Sequence, residues 1–492
     1  MPSARANYYT ALGVLRDASA EEIKRAYHAA ARRLHPDRNL LAGETELFLE
    51  VQTAYEVLSN PKRRAAYDAT LPREQEGESP VAYNIQYSRP SLVHLDEAQL
   101  VYAVLQTAPP DRRGTIPITP LNVCLLLDRS TSMQGEKLDV VKAAANRVLR
   151  MLRPEDLFSI VVFSDRAEVL LASAFQPDLN RAQSRIQTLQ PGGATEIFRG
   201  LEAGLGEVRQ GLDPNRSSHL LLLTDGHTYG DEQACLQLAD EAGQQKISIS
   251  AFGIGSDWND IFLDTLASRT GGNSTYISDP QDIQQLLIEK FRALARILVE
   301  DVVLQAAEVP GVVLRYAFRL QPEGGPIELG GRLHLGPVLQ DTALNVLFEF
   351  VVEPSASKSD VVTLLEGTLN MMVPSRPTPF PPIRLRMERP AAATSAGEPP
   401  PPSIVSALSR LALYRLQDRA RQEADAGEFE AATRHLQSLA MQLHVQGHEE
   451  LSKTALLEVE SLRQIQALSQ SGGKTIKYGT RALLLPPVED RA

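Results

Sequence analysis

The chain has 492 residues, 43% hydrophobic and 23% charged, more than one compact core accommodates, so several domains are expected. Its 50 Lys and Arg against 61 Asp and Glu leave a net charge of −11, which argues against a binder of nucleic-acid backbone. Two cysteines, Cys124 and Cys235, exclude a disulfide framework and a thiolate zinc site, and both read as small buried apolar groups.

The first residues carry no apolar signal core, and no later apolar run is long enough to span a bilayer. The expectation is a soluble protein of a reducing, cytoplasmic compartment. Pro and Gly clusters divide the sequence into a helical domain (1–72), a linker (73–80), a first β segment (81–118) and an α/β domain (119–299). A second β segment (300–388), a Pro-rich linker (389–402), a helical region (403–470) and a tail (471–492) follow.

In the first domain, Ser19-Ala-Glu-Glu22 is a capping box that opens an amphipathic helix. Its apolar stripe is Ile23, Tyr27, Ala30 and Leu34, and its other side is basic, with Lys24, Arg25, His28, Arg32 and Arg33. His35-Pro36-Asp37 then forces a loop, because proline disfavours helix in the residue before it. A second helix carries Phe48, Val51, Tyr55 and Leu58 at the spacing needed to pack antiparallel on the first, and Asn60 with Pro61 opens a third.

Tyr8-Tyr9-Thr10-Ala11-Leu12-Gly13-Val14, the His-Pro-Asp loop and the run from Tyr55 to Asp68 together resemble a DnaJ-type J-domain across residues 7–71. The resemblance implies that His35, Pro36 and Asp37, with Lys24, Arg25, His28 and Arg32, dock on a DnaK-type ATPase chaperone and stimulate its ATP hydrolysis. Cationic side chains would steer the encounter and the tripeptide would supply the specific contact. No Gly/Phe-rich stretch or cysteine-rich zinc domain follows, so the likeness is to the class in which the attached domain does the targeting.

Between residues 121 and 291, apolar strand-like runs alternate with amphipathic helical runs, the pattern of a doubly wound parallel sheet. Leu121 to Leu127 reads as a buried strand that delivers Asp128, Ser130 and Ser132 into a loop before a helix. Pro191-Gly-Gly-Ala-Thr195 precedes another helix, and the strand from His219 to Thr224 ends in Asp225-Gly226. Two carboxylates and three hydroxyls make an all-oxygen, low-charge set suited to hard Mg²⁺ or Mn²⁺ and poor for zinc. Each motif alone is ordinary strand-end punctuation; the three in this order resemble the metal-ion-dependent adhesion site of von Willebrand factor A domains of bacterial type. The resemblance implies that Asp128, Ser130, Ser132, Thr195 and Asp225 hold the ion and that a partner protein supplies an Asp or Glu to it. His227 and Tyr229 read as solvated loop residues, and Trp258 as a packing or surface residue rather than a ligand platform.

Short alternating segments at 82–87, 100–105 and 302–386 predict antiparallel strands, hence a β-sandwich split by the α/β domain. After the Pro-rich linker, Leu408, Leu411 and Leu416, then Leu436, Leu439 and Leu443, predict a helical hairpin or small bundle, with Gly427 and Gly447 at helix ends. His435, His444 and His448 lack a third ligand at metal spacing and read as solvated. No nucleophile and base at motif spacing, no phosphate-cradling loop and no His-Glu-x-x-His occur, so the expectation is a non-enzymatic adaptor. The alternative is a metal-dependent scaffold for a protein complex, an AAA-type ATPase being one candidate member, in which the J-domain is secondary.

Overall fold

Helix α1 (Ala20–Leu34) buries Ile23 completely, with Tyr27 and Ala30 partly buried beside it, and α2 (Glu44–Leu58) returns Ala54 and Leu58 against them. The computed structural model describes residues 8, 12, 18–34, 44–70, 81–108, 119–228, 230–371, 373–374, 380–394 and 399–484. Tyr27 stacks on Tyr55 with centroids 4.1 Å apart, which locks the antiparallel pair. Helix α3 (Pro61–Thr70) is capped by Asn60, whose Oδ1 accepts from the Lys62 and Arg63 amides at 3.0 and 3.2 Å. Tyr67 closes the unit by accepting from the Tyr8 amide at 3.0 Å.

The next strands, β1 (Ala82–Tyr87), β2 (Leu92–Val93) and β3 (Gln99–Ala108), find their partners far along the chain. Strand β3 pairs with β14 (Leu344–Val352) over nine residues, from Thr107 opposite Leu344 to Gln99 opposite Val352. The remaining strands of this module are β10 (Ile297–Ala307), β11 (Val312–Gln321), β12 (Gly325–Pro326), β13 (Leu333–Leu339), β15 (Val361–Met371) and β16 (Ile383–Ala392). Two five-stranded sheets result, ordered β1-β3-β14-β11-β12 and β13-β10-β15-β16-β2. One apolar core, including Val101, Leu304, Phe348, Phe350 and Leu385, fills the space between them. The split sandwich is therefore real, with two adjustments at its borders. Strand β10 begins before residue 300, and β16 runs through Pro390, which stands at the end of the ladder with β15 opposite Val361, to Ala391 and Ala392, which pair with the parallel strand β2.

The inserted α/β domain has a six-stranded sheet ordered β6-β5-β4-β7-β8-β9, formed by β4 (Leu121–Asp128), β5 (Leu157–Phe163), β6 (Ala167–Phe175), β7 (Ser217–Thr224), β8 (Ile247–Ile254) and β9 (Ser274–Ile277). All pairs are parallel except that of β5 with the edge strand β6. Strands buried on both faces need apolar residues in both registers, and β4 supplies them: Val123, Leu125 and Leu127 face one core while Cys124 and Leu126 face the other. Helices α4 (Glu136–Leu149), α5 (Leu179–Gln187) and α9 (Ile283–Leu294) cover the first face. Helices α6 (Ile197–Gln210), α7 (Glu232–Gln244) and α8 (Asp260–Ser268) cover the second.

Four helices end the described chain: α10 (Pro402–Asp425), α11 (Phe429–Val445), α12 (Glu449–Ile465) and α13 (Gln470–Ala482). Leu413, Leu436, Leu439, Leu443, Val459 and Ile476 share their core, and Gly427 and Gly447 take the left-handed turns, with φ of +81° and +82°, that end α10 and α11. Helix α13 corrects the expectation of a tail from residue 471. Its glycines lower helix propensity by about 1 kcal/mol each, and tertiary docking offsets that. A Cβ on Gly472 would lie 1.9 Å from the Glu458 carboxylate, and one on Gly479 would lie 2.4 Å from Leu451.

Candidate metal site

The central strands β4 and β7 end side by side, which brings the three predicted loops to one edge of the sheet. Asp128 is fully buried, and its two oxygens accept from the Ser130 amide at 2.7 Å and the Thr224 hydroxyl at 2.6 Å. The Ser130 and Ser132 hydroxyls lie 3.0 Å apart, and Ser132 donates to Asp225 at 2.6 Å. The backbone ties the second loop in: the Thr131 amide and hydroxyl both donate to the Gly193 carbonyl at 3.1 Å, and the Gly192 amide donates to the Arg129 carbonyl at 2.8 Å. Gly193 needs its left-handed φ of +86°, and a Cβ there would strike Asp165. Thr195 is buried against Gly226, where a Cβ would come within 2.7 Å of its hydroxyl, so only glycine lets Thr195 reach the Asp225 loop. All five predicted ligand residues, Asp128, Ser130, Ser132, Thr195 and Asp225, thus meet in one place.

Two participants escaped the sequence reading. Thr224 binds Asp128 directly, and Lys137, on the first turn of α4, places its Nζ 2.5 Å from Asp225. Burial pushes the Asp128 carboxyl up to about 6, against hydrogen bonds from Thr224 and Ser130 that lower it. Here an acid is held by neutral donors rather than by cations. The donor set holds two carboxylates and hydroxyls only, and Asp225 already draws the Lys137 ammonium, so the residues present suit a hard divalent cation.

A second acidic cluster lies on the same side of the sheet, at α8. Burial raises Asp260, but Arg421 and Lys477 outweigh it and hold the carboxyl down at about 2. Arg421 makes two bonds to Asp260, at 2.6 and 2.8 Å. Asp264 is held far below the ordinary carboxylate range, since Arg481, at 2.7 and 2.9 Å, and Lys477, at 2.7 Å, overcome the effect of burial. Lys474 of α13 donates to the carbonyls of Ser256 and Trp258 and stands 4.7 Å from the Trp258 ring centroid. Trp258 is a packing residue, 1% exposed, with its indole N–H on the Gly255 carbonyl at 2.7 Å.

The remaining predictions fall as follows. Lys24, Arg25 and His28 are exposed on α1, whereas His35, Pro36, Asp37, the Arg32 side chain and Tyr229 lie outside the described residues. Cys124 and Cys235 are buried thiols. His435 and His444 are not merely solvated: each pairs through Nδ1 with a carboxylate, Glu423 at 2.6 Å and Glu449 at 2.9 Å. Among the described residues no group of three or more His, Cys, Asp and Glu forms a further metal site, and no helix is long and apolar enough to cross a membrane.

Three families of known proteins match this chain. Residues 7–68 match the DnaJ domain, 122–289 the von Willebrand factor type A domain, and 402–486 the Sll0103-like, C-terminal alpha-helical domain. The uncharacterized protein sll0103 of Synechocystis sp. is 32% identical over 179 residues, 36% of this chain and 42% of that protein. The chaperone protein DnaJ of Trichormus variabilis is 52% identical over 71 residues, 14% of this chain and 19% of that one. The chain thus spans less than half of either curated relative. A solved structure described as von Willebrand factor type A from Catenulispora acidiphila shares the fold with a TM-score of 0.63 at 17% identity, covering 82% of this chain and 98% of its own. The chain therefore joins a DnaJ domain to a von Willebrand factor type A domain, followed by an Sll0103-like helical domain.

Proposed function

We propose that the protein is a cytoplasmic, non-enzymatic adaptor that grips a partner through a divalent metal at Asp128, Ser130, Ser132, Thr195 and Asp225, and brings a DnaK-type chaperone to it through the DnaJ domain. The observation that carries this reading is the oxygen-only cluster in the same chain as a DnaJ domain whose Lys24, Arg25 and His28 face solvent. Mg²⁺ or Mn²⁺, when bound, supplies an electrophile for an incoming Asp or Glu. The chain's own residues do the rest. Thr224 and the Ser130 amide orient the Asp128 carboxylate, Ser132 orients Asp225, and Lys137 pairs with the other oxygen of Asp225. Only two carboxylates serve the cluster, so a bound divalent ion keeps an appetite for a third from outside.

The reading is tested with purified chain and its cognate DnaK. Wild type is expected to raise the ATPase rate, and His35→Gln to abolish the rise while leaving partner capture intact. Asp128→Ala is expected to lose metal-dependent partner capture and keep the ATPase effect. Absence of stimulation by wild type sinks the chaperone half. Partner-complex assembly that needs Asp128 and ignores His35→Gln favours the scaffold reading instead.

A further inference from the structure

The loop that follows β8 touches the metal cluster on one side and the helical domain on the other. Gly253 of β8 pairs with Thr224 of β7, so residues 255–258 leave the sheet beside the loop of Asp225. Gly255 takes a left-handed φ of +70°, and a Cβ there would lie 3.8 Å from the Lys137 Nζ, the ammonium that meets Asp225 at 2.5 Å. The backbone of Gly255 thus runs alongside the cation that serves the cluster. Its amide donates to the Ile277 carbonyl at 2.8 Å, and its carbonyl accepts from the Trp258 indole N–H at 2.7 Å. Trp258 packs directly on Gly253, where a Cβ would come within 1.9 Å of the indole, so only glycine admits the ring.

Helix α13 holds the other side. Lys474, Lys477 and Arg481 follow one another at intervals of three and four residues and share one helix face. Lys477 and Arg481 meet Asp260 and Asp264 and fasten the helix by ion pairs. Lys474 is different. It is buried, makes no ion pair among the described residues, and donates instead to the Ser256 carbonyl and, at 2.5 Å, to the Trp258 carbonyl. Burial lowers it to about 8, as expected of an ammonium taken out of water without an acid beside it. Tyr478 of the same helix packs on the Trp258 ring, with centroids 5.8 Å apart. A buried ammonium on neutral carbonyls is a poorer fastening than one on a carboxylate, and what this one holds is the backbone beside Lys137.

We propose that Lys474 is a positioning residue for the metal site: by holding the 255–258 loop it sets where the Lys137 ammonium stands against Asp225, so that docking of the helical domain tunes the affinity of the cluster for a divalent cation. The proposal rests on the metal reading of Asp128, Ser130, Ser132, Thr195 and Asp225. Lys474 acts only through the loop and Lys137. The coupling is reciprocal, since two binding events that influence each other do so by the same factor.

The test is Mn²⁺ affinity, measured by electron paramagnetic resonance on the full chain, for wild type, Lys474→Met, Lys137→Met and the double variant. Lys474→Met is expected to shift affinity by about threefold, in the same direction as Lys137→Met. In the Lys137→Met background it is expected to add nothing, because residues that act through one another are not additive. Trp258 is the only tryptophan of the chain, and its emission is a second readout that stands even if Lys474→Met does not fold. That emission is expected to change saturably as Mg²⁺ is added to wild type and to stay constant in Asp128→Asn. Wild type that binds no Mn²⁺ removes the metal reading and this proposal with it. Where wild type binds Mn²⁺, this proposal alone is overturned if Lys474→Met leaves affinity unchanged, if its shift persists in full beside Lys137→Met, or if Trp258 emission ignores Mg²⁺.

Discussion

Two pairs of buried aspartates lie on the same side of one sheet, and the chain treats them oppositely. Asp128 and Asp225 are held by amide and hydroxyl donors with one ammonium beside them, and burial pushes Asp128 up to about 6. Asp260 and Asp264 are met by Arg421, Lys477 and Arg481, which drive both carboxyls down. Neutral donors orient a carboxylate without cancelling its charge, so the first pair retains attraction for a cation. Saturating cations cancel it, so the second pair fastens α13 and α10 to the α/β domain and has no appetite left. Burial and acid content are alike; only the partners separate the proposed site from a fastening.

The comparison breaks most visibly at the fastening. Asp264→Ala strands Arg481 in a buried setting, leaves Lys477 only Asp260, and is expected to cost about 3–5 kcal/mol, read by urea unfolding of the full chain. Asp128→Asn should behave the other way: Mn²⁺ affinity, measured by electron paramagnetic resonance, falls by at least about 100-fold, while unfolding in EDTA shows no loss of stability. An unfolding loss in EDTA as large as that of Asp264→Ala would show that the two pairs are not different in kind.

Next comes pH, where the pairs carry opposite signs. Asp260 sits below its unfolded value of about 3.9, so its contribution is present above pH 4 and is lost as pH falls toward 2. Asp128 sits above that value, so in EDTA it favours the folded state at low pH, and that advantage, about 3 kcal/mol for a shift of about two units, fades as pH rises toward 6. Unfolding midpoints in EDTA for Asp128→Asn against wild type should therefore diverge between pH 4 and 6 and run parallel above. The smallest effect belongs to Lys137→Met. Removing the ammonium from Asp225 is expected to tighten Mn²⁺ binding by up to about fivefold, and weaker binding would mean that Lys137 is needed to hold the cluster in place.

Much of the site was legible because metal-type loops depend on short spacing: Asp128, Ser130 and Ser132 lie on one loop, and Thr195 and Asp225 each follow a recognisable turn or strand. Lys137 escaped because a lysine on the first turn of a helix has no reason, seen locally, to point at a residue 88 positions away. Helix α13 escaped for a related cause. Gly472, Gly473 and Gly479 read as a tail until Lys474, Lys477 and Arg481 are seen on the carbonyls of 256 and 258 and on Asp260 and Asp264. The border of β16 was misplaced because Pro390 reads as a linker residue, whereas it stands at the end of the ladder with β15, opposite Val361.

What the residue order determined by itself is everything that acts over a few positions: the capped helices of the first domain, the apolar strands β4 and β7, the glycines at helix ends, and the loops that carry oxygen donors. Those features follow from backbone sterics and local periodicity, which need no partner. Tertiary structure alone decided which polar groups meet, from β3 with β14 to Lys137 with Asp225 and Arg481 with Asp264. A carboxylate's role depends on what reaches it across the fold, and neither its own identity nor its neighbours in sequence contain that.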